Sequence, residues 1–282
     1  MAHARSDIMA TELRAPGNRP GNGRWSDFGV RLASAAVLGP ISLACLWRGG
    51  IAWEVFIELA LAGLGMEWAS LAGHKNASLA LLLPVTLVVA GAVAVNFGWL
   101  PGLVLLGFFA AIIGLRYGGF AGAGIPYAGL GGIALLWLRL QPEHGLRDTM
   151  FLVVVVWSTD IGAYLVGRVV GGAKLAPRIS PGKTWSGSIG GLLIAGLAGA
   201  MFAGFSLRGD VAALFAAFAL SVFAQAGDLL ESAIKRKLGV KDSGRTIPGH
   251  GGLFDRLDGF LAAAPVAAIL ALSVYGGVRL WG

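Results

Sequence analysis

The feature that most constrains the fold is a series of long apolar runs that recurs along most of the chain. Nine runs approach the roughly 20 residues that a helix needs to cross a bilayer. They lie at 31–47, 51–71, 78–97, 100–115, 120–138, 149–170, 187–207, 211–229 and 258–280. Charged residues make up 13% of the chain, against about 25% in a soluble domain. The pattern predicts an all-α, polytopic integral membrane protein with about nine transmembrane helices.

The distribution of Lys and Arg predicts the orientation of these helices. With the N-terminus in the cytoplasm, all but five of the 22 Lys and Arg residues lie at cytoplasmic ends, as the positive-inside rule requires. The polar loops 171–186 and 230–257 then share the cytoplasmic face. Residues 1–29 lack the apolar core of a signal peptide, so we predict a disordered cytoplasmic tail before a single transmembrane catalytic domain at 30–282.

The net charge of +7 is explained by this topology signal, and we expect no nucleic-acid partner. Charges inside the predicted spans are more informative, because a carboxylate in a bilayer is costly unless it meets a cation or water. Asp160 lies in the middle of the sixth run, where we favour a functional role. Glu54, Glu58 and Glu67 lie in the second run, and we expect Glu54 to be solvated at the outer interface.

The stretch 228–259 is the densest in charge and contains four Asp, one Glu, six Lys or Arg and six Gly. On a helix, Asp228 and Lys235 share one face, and Asp255 and Asp258 share another at the start of the last run. Two helix ends that present carboxylates to one cavity predict a Mg²⁺ site, because Mg²⁺ prefers oxygen ligands and keeps phosphate oxygens in its shell.

Glycines and basic residues in the same stretch indicate phosphate binding. The segment 248–252 reads PGHGG, a turn in which glycines let backbone N–H groups approach an anion. Metal-bound phosphates suit carboxylates that lie beside cations. A loop that merely obeys the positive-inside rule would explain Lys237, but not four aspartates. The basic residues are Lys235, Arg236, Lys237, Lys241, Arg245 and Arg256.

A second polar loop, 180–187, reads SPGKTWSG. It differs from a P-loop because the first glycine of that motif is replaced by Pro177, and because no strand is predicted before it. Two interpretations stay open: the loop contacts phosphates, or it is a plain interfacial turn.

The run from Ser232 to Asp258 resembles the signature of the phosphatidate cytidylyltransferase family. It reads SAIKR-x4-KD-x-G-x2-IP-x-HGGL-x-DRLD, a long and specific pattern. The face formed by Asp160, Tyr164 and Gly167 is similar to an upstream block of the family, as is the loop 180–187. Many relatives carry Lys and Glu where this chain has Gly182 and Ser186.

The resemblance implies transfer of the cytidylyl group of CTP to phosphatidate at the cytoplasmic interface of a bacterial inner membrane, giving CDP-diacylglycerol and pyrophosphate. It implies Mg²⁺ as cofactor, with a second cation and homodimerisation left open. The implied metal ligands are Asp228, Asp255 and Asp258, and the implied catalytic residues are Asp228, Lys235 and Asp255. The implied substrate-binding residues are Lys183, Thr184, Ser232, Arg236, Lys241, Asp242, His250, Gly251, Gly252 and Arg256.

Two alternatives remain. The first is a related CTP-dependent enzyme that acts on a polyprenyl or ether lipid, since the sequence does not encode the acyl chemistry. The second is an ion-coupled transporter with Glu58 and Asp160 as its coupling carboxylates. We disfavour the transporter because the densest charge lies at the interface and the two halves show no obvious repeat.

Overall fold

The computed structural model describes residues 23–73, 77–204, 209–244, 246–247 and 251–274. Nine helices and one small hairpin lie within these ranges. The helices are α1 (Gly23–Arg48), α2 (Gly50–Leu71), α3 (Ala77–Phe97), α4 (Trp99–Tyr117), α5 (Gly119–Arg139), α6 (Gly145–Val170), α7 (Trp185–Ala203), α8 (Gly209–Lys237) and α9 (Phe254–Val274). The strands β1 (Lys174–Ala176) and β2 (Ser180–Thr184) precede α7.

Within the described ranges, each predicted apolar run coincides with one helix; residues 205–207 and 275–280 of the seventh and ninth runs lie outside those ranges. Within the described ranges, the six helices α3 to α8 are long and apolar enough to cross a membrane. The helix α2 carries three glutamates, and α1 is apolar over Ala36–Arg48. The chain is therefore a polytopic, all-helical membrane protein, as predicted. Nine membrane crossings and a cytoplasmic N-terminus remain predictions.

The helix boundaries differ from the predicted runs where charged residues are helical. The helix α8 continues to Lys237, eight residues beyond the predicted end of its run, and α9 begins at Phe254. The predicted loop of 230–257 is thus helical at both ends. The helix α1 begins at Gly23, inside the predicted tail of 1–29; the rest of that tail lies outside the described residues. Between α3 and α4, Gly98 with φ of 98° separates the two helices.

One short hairpin accompanies the helices within the described ranges. Its strands are antiparallel, with Lys174 opposite Thr184 and Ala176 opposite Ser180. Both Ala176 and Ser180 precede a proline, which favours extended backbone at those positions. The loop predicted at 180–187, with no strand before it, therefore begins with the strand β2, which follows the strand β1. The spacing of its glycines still differs from that of a P-loop.

The helix α5 is the most buried span and packs against α2, α3, α4 and α9. The helix α7 packs closely on α6 because glycines face it: a side chain at Gly191 would meet the backbone of Thr159 and the methyl group of Ala163. The helix α8 packs against α7 and α9. This arrangement brings the hairpin, the end of α8, the start of α9 and the end of α2 to one end of the bundle.

Candidate active site

The hairpin rests on the last turns of α8 through charged side chains. The ammonium group of Lys183, in β2, forms an ion pair with Oδ2 of Asp228. Ser232 Oγ donates to the other oxygen, Oδ1, at 3.4 Å. One turn further, Arg236 Nε donates to the carbonyl of Ile179 at 3.3 Å. The hairpin is thus part of the charged cluster and not a detached interfacial turn.

Lys235 lies between carboxylates from two helices. Its Nζ is 2.6 Å from Glu231 Oε2, one turn back on α8, and 2.5 Å from Asp255 Oδ1 at the start of α9. The side chains of Lys235, Glu231 and Asp255 are only 13%, 5% and 10% exposed. Charges this buried depend on one another, because each would otherwise be desolvated without compensation.

Asp255 has partners on both oxygens. Besides Lys235, it accepts hydrogen bonds at Oδ2 from the backbone N–H of Gly252 at 2.8 Å and from the N–H and hydroxyl of Ser243, each at 3.0 Å. Asp255 precedes the apolar part of α9. Burial alone would raise the pKa of its carboxyl, but the hydrogen bonds from Lys235, Gly252 and Ser243 outweigh burial and lower this pKa to about 2. Asp255 therefore joins α8, the 238–253 segment and α9.

Glu67, near the end of α2, holds the same segment from the other side. Its Oε1 accepts from the backbone N–H of Leu253 at 2.6 Å and from the hydroxyl of Thr246. Its Oε2 accepts from the N–H of Phe254 at 3.0 Å and lies 3.1 Å from the hydroxyl of Ser243. The first N–H groups of a helix have no partner inside it, so Glu67 caps α9 from a distant helix. Sequence reasoning noted Glu67 only as a charge near the end of a span.

Three carboxylates interact around Lys183. Asp160 on α6, Asp228 on α8 and Asp258 on α9 are close enough to act on one another electrostatically, and Lys183 partly offsets their charge. Asp258 Oδ1 also accepts from the N–H of Gly259 at 2.7 Å. In the part of the chain that the structure describes, no three His, Cys, Asp or Glu side chains already form a metal-binding group. The donor set is nonetheless all oxygen and carries excess negative charge, which fits Mg²⁺.

Several residues predicted to bind substrate have structural contacts. Thr184 caps α7, since its hydroxyl accepts from the N–H of Gly187 at 3.1 Å. A side chain at Gly252 would overlap Ser243 Oγ and press on the carboxylate of Glu67. Gly251, with φ of 83°, pairs through its carbonyl with the N–H of Ile247 at 3.0 Å. These positions shape the segment that Glu67 and Asp255 hold.

The other predicted positions lie around the cluster or outside the described residues. Lys241 and Asp242 are exposed in the turn that follows α8, and Arg256 is exposed in the first turn of α9. His250 lies outside the described residues, as does Arg245. Their roles in substrate binding stay predictions.

The fold and the cluster define a multi-pass membrane protein with an oxygen-rich, charged site at one end of its bundle, a site that suits phosphorylated ligands. The chain belongs to the cytidylyltransferase family, whose model matches residues 29–274. It is 40% identical over 250 residues to a phosphatidate cytidylyltransferase of Brucella suis biovar 1 (strain 1330), a match that covers 85% of this chain and 91% of that relative. The family predicted from the run Ser232–Asp258 is confirmed.

A second group of relatives matches a shorter part of the chain. A phosphatidate cytidylyltransferase of Staphylococcus saprophyticus is 44% identical over 153 residues, which are 53% of this chain and 57% of that relative. A protein of the same name from Staphylococcus haemolyticus is 44% identical over 146 residues.

Proposed function

We propose that this protein transfers the cytidylyl group of CTP to phosphatidate at the cytoplasmic face of a bacterial inner membrane. The products are CDP-diacylglycerol and pyrophosphate. The observation that carries the proposal is the convergence of Lys183, Asp228, Lys235 and Asp255, from β2, α8 and α9, at one end of an apolar bundle. The names of the relatives support the same substrates.

The reaction needs charge compensation more than a strong base. Phosphatidate brings its own nucleophile, a phosphate monoester whose second pKa is about 6, so it is largely dianionic at neutral pH. An oxygen of that phosphate attacks the α-phosphorus of CTP, and the bond from the α-phosphorus to the β-phosphate oxygen breaks. Two anionic reactants repel each other and the leaving pyrophosphate gains charge, so the site must supply positive charge.

Mg²⁺ fits the carboxylates of Asp228 and Asp258 best, with Asp160 close to both. When bound, the ion would supply positive charge to the triphosphate and to the leaving pyrophosphate. Asp255 was also predicted as a ligand, but it accepts from four protein donors, two of which are backbone N–H groups. Within the described residues, the donors to Asp228 are the side chains of Lys183 and Ser232, which can give way to a cation more easily. We therefore assign Asp255 the role of holding Lys235 in place. A second cation remains an open part of the proposal.

Lys183 and Lys235 are the cations best placed to meet phosphate oxygens. Each comes from a strand or a helix and lies against a carboxylate of the cluster. Ser232 and Arg236 lie about one and two turns beyond Asp228, on the same end of α8. A lysine held in this way presents its charge without the loss of side-chain freedom that a mobile lysine would suffer on binding.

The test uses purified full-length protein in detergent and lipid micelles with α-labelled CTP, phosphatidate and Mg²⁺. Label should enter the organic phase with release of pyrophosphate, and EDTA or Asp228→Asn should abolish the transfer. Glu143→Gln is the matched control, because Glu143 is 78% exposed on a loop between α5 and α6, and it should retain activity. If phosphatidate gives no labelled lipid while a polyprenyl phosphate does, the proposed acceptor is wrong; if neither does, the transferase proposal fails.

A further inference from the structure

Tyr127 lies in the middle of α5 and belongs to none of the contacts described above. Its ring is held by two aromatic neighbours. Phe254 stacks on it almost in parallel, with centroids 5.5 Å apart and an interplanar angle of 5°. The ring of Trp68 is tilted against it, with centroids 5.6 Å apart. Trp68 is itself fixed by a hydrogen bond from its Nε1–H to the carbonyl of Phe120 at 2.9 Å. The aromatic contacts therefore fix where the hydroxyl of Tyr127 can lie.

The hydroxyl of Tyr127 is buried, and no group within the described ranges accepts or donates a hydrogen bond to it. A buried hydroxyl without a partner destabilises the folded state. Such groups in native proteins call for an explanation, of which a catalytic role is one. The explanation here lies in its surroundings. Phe254, which stacks on the Tyr127 ring, directly precedes Asp255 of the charged cluster. The carboxylates of Asp258, Glu231 and Asp228 also act on the hydroxyl electrostatically. The hydroxyl thus lies beside the charged cluster.

A neutral donor has an advantage at this position. The ammonium groups of Lys183 and Lys235 are positioned for phosphate by their ion pairs with carboxylates, so each shares its charge between a carboxylate and the substrate. A tyrosine hydroxyl is protonated at neutral pH and can donate, but it carries no charge that the carboxylates would capture. It therefore remains available to an incoming acceptor, and phosphate oxygens are acceptors of this kind.

We propose that Tyr127 is a further substrate-binding residue, whose hydroxyl donates a hydrogen bond to a phosphate oxygen of the bound substrate. The proposal rests on the proposed function, because CTP and phosphatidate are the two sources of phosphate. The same hydrogen bond explains why a destabilising hydroxyl is present in the most buried helix of the bundle.

Tyr127→Phe tests the proposal because it removes only the hydroxyl and keeps the stack on Phe254. We expect kcat/KM to fall about tenfold, which corresponds to ~1.4 kcal/mol, while Tm stays equal or rises because an unpartnered buried group is gone. Separate titrations of CTP and phosphatidate identify the source, since KM should rise for the substrate whose phosphate accepts the bond. Tyr117→Phe, at the end of α4, is the matched control and should leave kcat/KM unchanged.

The outcomes separate this proposal from the proposed function. If the wild-type protein forms CDP-diacylglycerol and Tyr127→Phe keeps kcat/KM within twofold for both substrates, the role of Tyr127 is refuted and the proposed function stands. Tyr127→Leu removes ring and hydroxyl together and should lower Tm. A Tyr127→Phe variant that loses Tm and activity in parallel, as the leucine variant does, would show a structural hydroxyl and would also overturn the proposal. A wild-type protein without transfer removes the proposed function and, with it, the substrate assigned to Tyr127.

Discussion

Lys235 has an ammonium group that two carboxylates approach from different helices, at 2.6 Å from Glu231 and 2.5 Å from Asp255. Removal of one member of a buried group of charges leaves the others uncompensated. Lys237, two residues further along α8, is exposed. A comparison of variants at the two lysines can therefore distinguish a role in the site from a role in membrane topology.

Lys235→Ala should lower kcat/KM at least tenfold, the ~1.4 kcal/mol scale of one charge-assisted contact. Steady-state kinetics with CTP varied at saturating phosphatidate measures the effect. Lys237→Ala is the control on the same helix and should stay near the wild-type rate. Equal kinetics for both variants would reduce Lys235 to a topology charge.

Glu67 is a second case of one residue with several partners. Its carboxylate accepts from two backbone N–H groups and from the hydroxyl of Thr246, and it lies 3.1 Å from the hydroxyl of Ser243. Glu67→Gln replaces one acceptor oxygen by a donor, so we expect faster amide hydrogen exchange at Leu253 and Phe254 and a loss of activity. The matched control is Glu54→Gln, the same change on the same helix, which we expect to be nearly silent. Unchanged exchange in Glu67→Gln would show that α9 does not depend on this cap.

At the level of elements, the 238–253 segment is shaped by how closely it approaches its neighbours. A Cβ at Gly252 would overlap the hydroxyl of Ser243 and meet Glu67 and the backbone of Gly244. Gly107, on the exposed face of α4, has open space around it. The change to alanine adds one methyl group at either position, so a comparison of the two variants isolates the effect of crowding.

Gly252→Ala should lower Tm and reduce activity, because the segment must move away from Glu67 or Ser243 must change its position. Gly107→Ala should leave Tm equal or slightly higher, since alanine favours a helix over glycine. Thermal unfolding followed by tryptophan fluorescence, with the transfer assay on the same samples, measures both effects. A fully active and equally stable Gly252→Ala variant would mean that the segment adapts without the contacts described above.

On the scale of the whole molecule, the hydrophobic pattern predicted the helices well, because each apolar run must form a helix to satisfy its backbone in a bilayer. The pattern failed where charged residues are helical. The end of α8 and the start of α9 were predicted as parts of a loop because they are rich in charge. Both are helical, because their charged side chains pair with one another and need not face lipid. It also missed the role of Glu67, whose partners lie 176 to 187 residues away. No local signal in a sequence encodes such a contact.

The predicted orientation can be tested on the complete protein. The chain has one cysteine, Cys45, so Cys45→Ser gives a cysteine-free background for Lys241→Cys and Glu143→Cys, which both lie at exposed positions. A maleimide that cannot cross membranes should label Glu143→Cys in intact cells and Lys241→Cys only after permeabilisation. The reverse pattern would invert the topology and place the charged cluster on the outer face.

The cap that Glu67 provides also has a consequence for the protein during its synthesis. The ribosome makes Glu67 more than 170 residues before its donors in 243–254, so at 5–20 residues per second the carboxylate waits roughly 10–40 s for them. Until α9 arrives, the growing chain holds a charge in or near the membrane without its final partners. A chain that stops before α9 keeps the carboxylate of Glu67 without these donors. An unfinished copy therefore differs physically from a finished one.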